Sequence, residues 1–229
     1  MTDGTLALTL HGETMHPLAS GALWLPGSRT LVVSDLHLGK AERNARRGGG
    51  FWPPYENVET LDRLEREIDA RDPACVVTLG DSFDDDACVE ELDDGTRRRI
   101  ERLVEARRWI WVTGNHDPAP SGLGGEGADA VTFGPLTLRH IAEPDARGEV
   151  SGHYHPKVGL RVRGGRRIAR KCFVASDERV VLPAFGAFTG GLDVFHDAFA
   201  PLFGADACVI LTGSRVAALP LSRLRRAVA

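Results

Sequence analysis

Apolar runs along this chain stop, again and again, at residues able to bind a metal. Thr30-Leu31-Val32-Val33 leads into Ser34-Asp35-Leu36-His37, Ala74 to Leu79 into Gly80-Asp81, and Trp109-Ile110-Trp111-Val112 into Thr113-Gly114-Asn115-His116-Asp117. Later, Leu136 to Leu138 precedes His140, and Glu149-Val150 precedes Gly152-His153-Tyr154-His155. Short apolar and β-branched runs bounded by Gly, Pro and polar clusters predict strands, as do Leu6 to Leu10 and Ala22 to Leu25 ahead of the turn Pro26-Gly27-Ser28. Between the strands, Val58, Leu61, Leu64 and Ile68 recur at helical spacing, with Asn57 as the candidate cap and Asp72-Pro73 as the stop. A second helix is predicted from about Thr96 to Arg107, with Ile100, Leu103 and Val104 on one face. Strand, helix, strand is a crossover unit, whereas after the Gly-rich loop from Pro118 to Gly127 strands dominate. The pattern predicts an α/β fold, a β sandwich with helices outside. In parallel sheets ligands gather at the carboxyl ends of strands, so the polar groups that follow successive runs should converge.

Composition narrows the class without changing it. A chain of 229 residues can bury a sizeable core and is read as one domain, 1–229. With 42% hydrophobic and 26% charged residues it is neither disordered nor fibrous. No apolar run approaches the ~18 residues that span a bilayer, and Met1-Thr2-Asp3-Gly4 opens no secretory leader, so a cytoplasmic protein is expected. Cys75, Cys88, Cys172 and Cys208 show no zinc or redox spacing and are expected as reduced thiols. A net charge of −4 excludes a generic polyanion binder but leaves room for local basic patches.

The candidate chemistry follows from the ligand types. In a strand-like segment residues i and i+2 point the same way, so Asp35 with His37, and His153 with His155, could each face one ion. Two ions need a bridging carboxylate, and Asp81, a short acid after a glycine, is the candidate. Carboxylates, imidazoles and one amide oxygen without thiolate disfavour a structural zinc site and suit two divalent ions, with manganese the leading expectation and iron or zinc open. Such ions acidify water and polarise a phosphoryl oxygen, which suits phosphoester hydrolysis. If Asn115 offers an amide oxygen to a metal, the neighbouring His116 is free to act as general acid.

Ser34-Asp35-Leu36-His37-Leu38-Gly39, Gly80-Asp81, Gly114-Asn115-His116-Asp117, His140 and Gly152-His153-Tyr154-His155 resemble, in order, the motifs of the calcineurin-like metallophosphoesterases. The resemblance implies a two-layer β sandwich flanked by helices, with Asp35, His37, Asp81 and His155 around one ion, Asp81, Asn115, His140 and His153 around the other, and His116 as proton donor. Leu36 to Ala41, His153 to Pro156 and Leu182 to Gly191 are similar to the bacterial ligase-associated DNA damage response endonuclease branch. That likeness implies a DNA-repair setting and possible association with a DNA ligase or helicase. One departure stands out: where the branch commonly has a histidine three residues after the bridging aspartate, this chain has Asp84. In the wider superfamily an aspartate there often orients the proton-donating histidine, which would pair Asp84 with His116; Asp85 and Asp86 could equally be an idle solvated loop.

The substrate is written less clearly. Lys40, Arg43, Arg46 and Arg47 precede Gly48-Gly49-Gly50-Phe51-Trp52-Pro53-Pro54-Tyr55, a loop whose arginines could hold phosphates while Trp52 or a neighbouring aromatic stacks on a base. A solvated loop with its aromatics packed on the body is the competing reading. Arg161, Arg163, Arg166, Arg167, Arg170 and Lys171 flank a Gly164-Gly165 hairpin, either as a backbone-tracking patch or as a charged edge. His11, His16 and His196 match no motif, and Phe185 and Phe188 are expected in the core. A metal-dependent DNA phosphodiesterase is the leading expectation. A small-molecule phosphoesterase acting on nucleotides or lipid-linked pyrophosphates, and a metal-stabilised interaction module in a repair complex, are the alternatives.

Overall fold

In the computed structural model, which describes residues 6–50, 55–117, 122–161 and 164–228, the apolar runs pair into two mixed sheets. The first takes β1 (Leu8–Leu10), β2 (Glu13–Pro17), β3 (Leu23–Leu25), β4 (Thr30–Val33), β5 (Cys75–Leu79), β6 (Arg108–Val112) and β7 (Glu126–Ala128) in that spatial order. Neighbours from β1 to β4 are antiparallel and those from β4 to β7 parallel. Helices make the parallel crossovers: α1 (Lys40–Arg46) and α2 (Tyr55–Arg71) join β4 to β5, and α3 (Cys88–Glu91) and α4 (Asp94–Glu105) join β5 to β6.

The second sheet is built from β8 (Ala130–Phe133), β9 (Leu136–Arg139), β10 (Glu149–Ser151), β11 (Lys157–Arg161), β12 (Arg167–Ala175), β13 (Arg179–Val181), β14 (Cys208–Leu211) and β15 (Ala217–Pro220). Its spatial order is β15-β14-β12-β13-β10-β9-β8, with β11 paired to β12 as a hairpin. A last helix, α5 (Leu221–Val228), follows.

Strands β4 and β5 are buried along their whole length, as unbroken apolar runs require. On one face Val32, Val77, Leu79, Ile110 and Val112 meet Leu138, Val150, Phe173, Val180 and Ile210 of the second sheet. On the other, Leu31, Val33, Val76, Trp109 and Trp111 pack on Leu61, Leu64 and Ile68 of α2 and on Ile100 and Val104 of α4. Leu221 and Leu224 of α5 join Cys172, Val174, Val181 and Val209 on the far side of the second sheet. The layers therefore run helix, sheet, sheet, helix: the expected sandwich.

Several local expectations are corrected. Asn57 lies inside α2 rather than at its cap, and its Oδ1 accepts the Gly39 amide at 2.9 Å, fastening α2 to the start of α1. Val58 is 47% exposed, off the packed stripe. The basic stretch after Gly39 is a helix, not a loop. Phe185 is buried, but Phe188 is 62% exposed. Gly164 and Gly165, with φ of +87° and +76°, do turn the β11–β12 hairpin.

Candidate active site

Loops leave the carboxyl ends of β4, β5, β6, β9 and β10 and meet at one rim. The chain bends sharply there. Asp35, His37, Asp81, His153 and His155 have φ of +54°, +47°, +47°, +69° and +46°, in the left-handed region that is strained for any residue with a Cβ. The extended i, i+2 pincers expected from sequence are thus alternating left-handed turns. Asp35 and His37 still face a common centre, whereas His153 and His155 separate to two. Close interleaving of the loops demands glycine: a Cβ on Gly114 would stand 2.2 Å from the Asp81 amide nitrogen, and one on Gly152 1.7 Å from Ser34 Oγ.

Donor atoms of Asp35, His37 and His155 lie within 4.8 Å of one another, as do those of Asp81, His140 and His153. Asp81 stands between the groups, its Oδ2 3.4 Å from His140 Nε2 and 3.8 Å from His37 Nε2. Asn115 Oδ1 approaches His140 Nε2 at 3.1 Å, and His155 Nε2 lies 3.0 Å from Asp35 Oδ1.

The orientation of the rings tests whether these residues suit metal. His140 Nδ1 is 2.7 Å from the Leu79 carbonyl and must donate to it, so Nε2 of the neutral ring presents a lone pair to Asp81, Asn115 and His153 Nδ1, the last at 3.3 Å. His37 Nδ1 likewise lies 3.0 Å from Asp84 Oδ1, turning Nε2 toward His155 Nε2 at 3.4 Å. Facing lone pairs and carboxylate oxygens repel unless a cation lies among them, and hydrogen bonds that aim the second ring nitrogen outward are how metal-binding histidines are oriented. The donor set fits divalent ions.

Electrostatics divide the histidines. Burial works to raise Asp35, yet the hydrogen bond and charge of His155, the charge of His140 and the Ser34 hydroxyl at 2.5 Å hold its carboxyl below the usual range. Burial lowers His37 and His153, which favours the neutral ring in both. His140 goes the other way, because Asp81 and Asp35 outweigh its burial.

Asp84 is corrected in one respect. Its carboxylate bonds His37 Nδ1 and, at 2.8 Å, Arg43 Nη1, while His116 reaches only its backbone carbonyl, Nδ1 to O 2.9 Å. The His116 amide donates to Asp81 Oδ1 at 2.9 Å, and its ring meets His37 edge to face with centroids 5.2 Å apart. Because a carbonyl can only accept, Nδ1 carries a proton and Nε2 is the nitrogen left over for chemistry.

The expected substrate arginines fare unequally. Arg43 is tied to Asp84, and Arg46 to Asp85 and Glu91, so Asp85 is no idle loop residue. Arg47 has no ion-pair partner among the described residues and borders a cavity of about 230 Å3 with Lys40, Arg43, Asn44 and Asp84. Trp52 and Arg163 lie outside the described residues. His11 bonds Glu178, and His196 caps a short 3-10 turn, both as ordinary surface residues.

Sequence reasoning missed Ser34, whose hydroxyl holds Asp35, and Asp117, whose Oδ2 accepts the Phe83 amide at 2.9 Å and so joins the β5 and β6 loops. Burial and the nearby Asp81 push the Asp117 carboxyl up to about 7. Their signal was present as neighbours of ligands in the Ser34-Asp35 and Asn115-His116-Asp117 motifs.

Known proteins place this geometry. Superposition on the crystal structure of the Pseudomonas putida nuclease MPE gives a TM-score of 0.71 at 28% sequence identity, covering 94% of this chain and 100% of that one. Among curated proteins none matches. The family model described as calcineurin-like phosphoesterase matches residues 28–177, a span that runs from just before β4 to just past β12 and holds every candidate ligand. With its candidate ligands inside the matched span, the chain belongs to the calcineurin-like phosphoesterase family, metal-dependent hydrolases of phosphoester bonds.

Proposed function

We propose that the chain is a two-metal phosphodiesterase that cuts DNA, a nuclease with manganese as its working ion. The convergence of seven ligands with a separately held His116 carries the hydrolytic reading, and the likeness to a nuclease over nearly the whole of both chains supports nucleic acid as substrate. Asp35, His37, Asp81 and His155 would hold one ion and Asp81, Asn115, His140 and His153 the other, together acidifying a water and offsetting phosphoryl charge. The protein's own part is positional and protic. Asp84 holds His37 by Nδ1, the Leu79 carbonyl holds His140 by Nδ1, and both rings keep Nε2 turned inward. As the acidified water, its proton released to solvent, bonds through oxygen to phosphorus in line and the opposite P–O bond breaks, protonated His116 would give its Nε2 proton to the departing alkoxide. Its Nδ1 keeps its own proton, donated in a hydrogen bond to the Asp84 carbonyl.

A DNA-repair role, with a ligase or helicase nearby, rests on the motif likeness and is proposed with the same substrate. The four free cysteines suit a reducing, cytoplasmic setting.

Purified protein with manganese should turn over bis-p-nitrophenyl phosphate and cleave labelled single-stranded DNA. Diester turnover without DNA cleavage would leave a small-molecule phosphoesterase. Metal binding without any hydrolysis would leave an interaction module. Replacing the acid, His116→Ala, should lower turnover by roughly 10²–10⁴ on poor leaving groups; unchanged rates would remove that role.

A further inference from the structure

A cavity of about 540 Å3 opens away from the ligand rim, between α2, residues 19–20, β12 and residues 212–213. Its charged lining is Arg63, Arg66, Arg170 and Lys171 against one carboxylate, Glu67, which is already paired with Arg71. Among the described residues no carboxylate pairs with any of the four cations. Lys171 Nζ spends its donors on neutral acceptors, the carbonyls of Ala184 at 2.9 Å and Gly186 at 2.6 Å and the hydroxyl of Thr189 at 2.8 Å. Arg63 donates to the Phe185 carbonyl and stacks 4.5 Å over that residue's ring, while its buried Nε has no acceptor. The Arg66 side chain meets only the Asp62 carbonyl at 3.1 Å, and the Arg170 side chain makes no hydrogen bond among the described residues. Like charges crowded around one hollow repel, and burial together with Arg63, Lys157 and Lys40 pushes the Lys171 ammonium down to about 7.

Four basic side chains against the single carboxylate of Glu67 leave positive charge in excess in this hollow. Guanidinium forks match phosphate oxygens in shape as well as sign. We infer that the cavity is a phosphate-binding site, taking a backbone phosphate of the nucleic-acid strand whose cleavage occurs at the ligand rim. This strand assignment rests on the nuclease reading. One backbone segment joins the two places. The amides of Phe185 and Gly186 donate to the carbonyls of Ser34 and Asp35 at 2.7 and 3.0 Å, and the carbonyls of the same two residues receive Arg63 and Lys171. A phosphate bound by Arg63, with the ammonium of Lys171 behind it as charge alone, therefore leans on the support of the Asp35 loop. A free phosphate ion offers the same chemistry, and the test separates it from a strand.

Metal-free full-length protein is titrated against a fluorescein-labelled oligothymidylate at several salt concentrations, and against inorganic phosphate by calorimetry. A lost phosphate contact on a single strand removes about 0.7 from the log–log salt slope, so Arg66→Gln/Arg170→Gln, which weakens the hold on one phosphate, should bind the oligonucleotide roughly ten-fold more weakly with a slope shallower by about 0.7. Arg66→Lys/Arg170→Lys keeps both charges and should hold the wild-type slope, which separates lost charge from lost folding. Turnover of bis-p-nitrophenyl phosphate, which needs only the ligand rim, should not change. Unaltered oligonucleotide affinity and slope in the Gln variant overturn the strand site; if phosphate binding alone is lost, the cavity serves a free ion. Wild-type protein that binds through these arginines yet cuts no DNA sinks the nuclease reading and leaves the cavity standing. A Gln variant that binds and cuts as the wild type does sinks the cavity alone.

Discussion

Asp84 shows how much a single carboxylate can be asked to do. It takes the His37 ring nitrogen that is turned away from the rim, receives Arg43, and offers its carbonyl to His116. Burial works to raise it, yet His37 and Arg43 hold it well below the ordinary aspartate value, so it stays charged beside the ring it aims. In the proposed metal site that charge raises the basicity of His37. Asp84→Asn keeps the shape and removes the charge, and should raise the manganese concentration for half-maximal turnover about 10–100-fold. An unchanged metal requirement would mean that Asp84 only packs the loop.

At the scale of elements, Gly39 is the knot of three helices. It has φ of +83°, its amide binds Asn57 of α2, its carbonyl accepts from the Cys88 thiol of α3, and a Cβ there would stand 2.5 Å from that of Cys88. Gly39→Ala should therefore lose at least about 1–2 kcal/mol of stability from the left-handed backbone alone, read as a lower urea midpoint; a midpoint equal to wild type would mean that α3 yields freely. The same region explains what the sequence did and did not disclose. Strands β4 to β6 were legible because burial on both faces writes an unbroken apolar run, and α2 and α4 because a long packed stripe repeats at helical spacing. Helix α1 has seven residues and buries only Ala41, being held by the Glu56 carboxylate on the Ala41 amide and by the pairs of Arg43 and Arg46 with acids far along the chain. None of that is local. Strand β2 was missed for a similar reason, since Glu13–Pro17 mixes polar and apolar residues and is a strand through its pairing with β1 and β3. The ligands could be read as residue types, but the parting of His153 from His155 depends on backbone angles that no spacing reveals.

For the whole molecule, two buried populations set opposite pH trends. Burial and its cationic neighbours push Lys171 down to about 7 in the fold, against 10.5 for an ordinary lysine. Between those values the unfolded chain keeps a proton that the folded chain has released, so unfolding takes up protons and stability rises with pH. The buried Cys88 thiol acts later and in the other sense: raised to about 12 from 9.0, it stays protonated while the unfolded thiol ionises, and stability falls. Burial raises Cys172, Cys75 and Cys208 in the same sense, so the thiols together outweigh the one lysine; urea midpoints of the metal-free protein should therefore climb from neutral pH until thiol ionisation begins and decline beyond it, with Lys171→Met flattening the climb. A steady decline from neutral pH would contradict the assignment.

The left-handed ligands carry a consequence of a different kind. At about 1–2 kcal/mol each, the backbone conformations of Asp35, His37, Asp81, His153 and His155 together withhold an amount comparable to the entire 5–15 kcal/mol margin by which ordinary domains stay folded. Glycine at those positions would make a sturdier protein without a site, and valine or isoleucine would be rejected even by a fold that never met a metal. Durability and chemistry pull against each other at the same five positions.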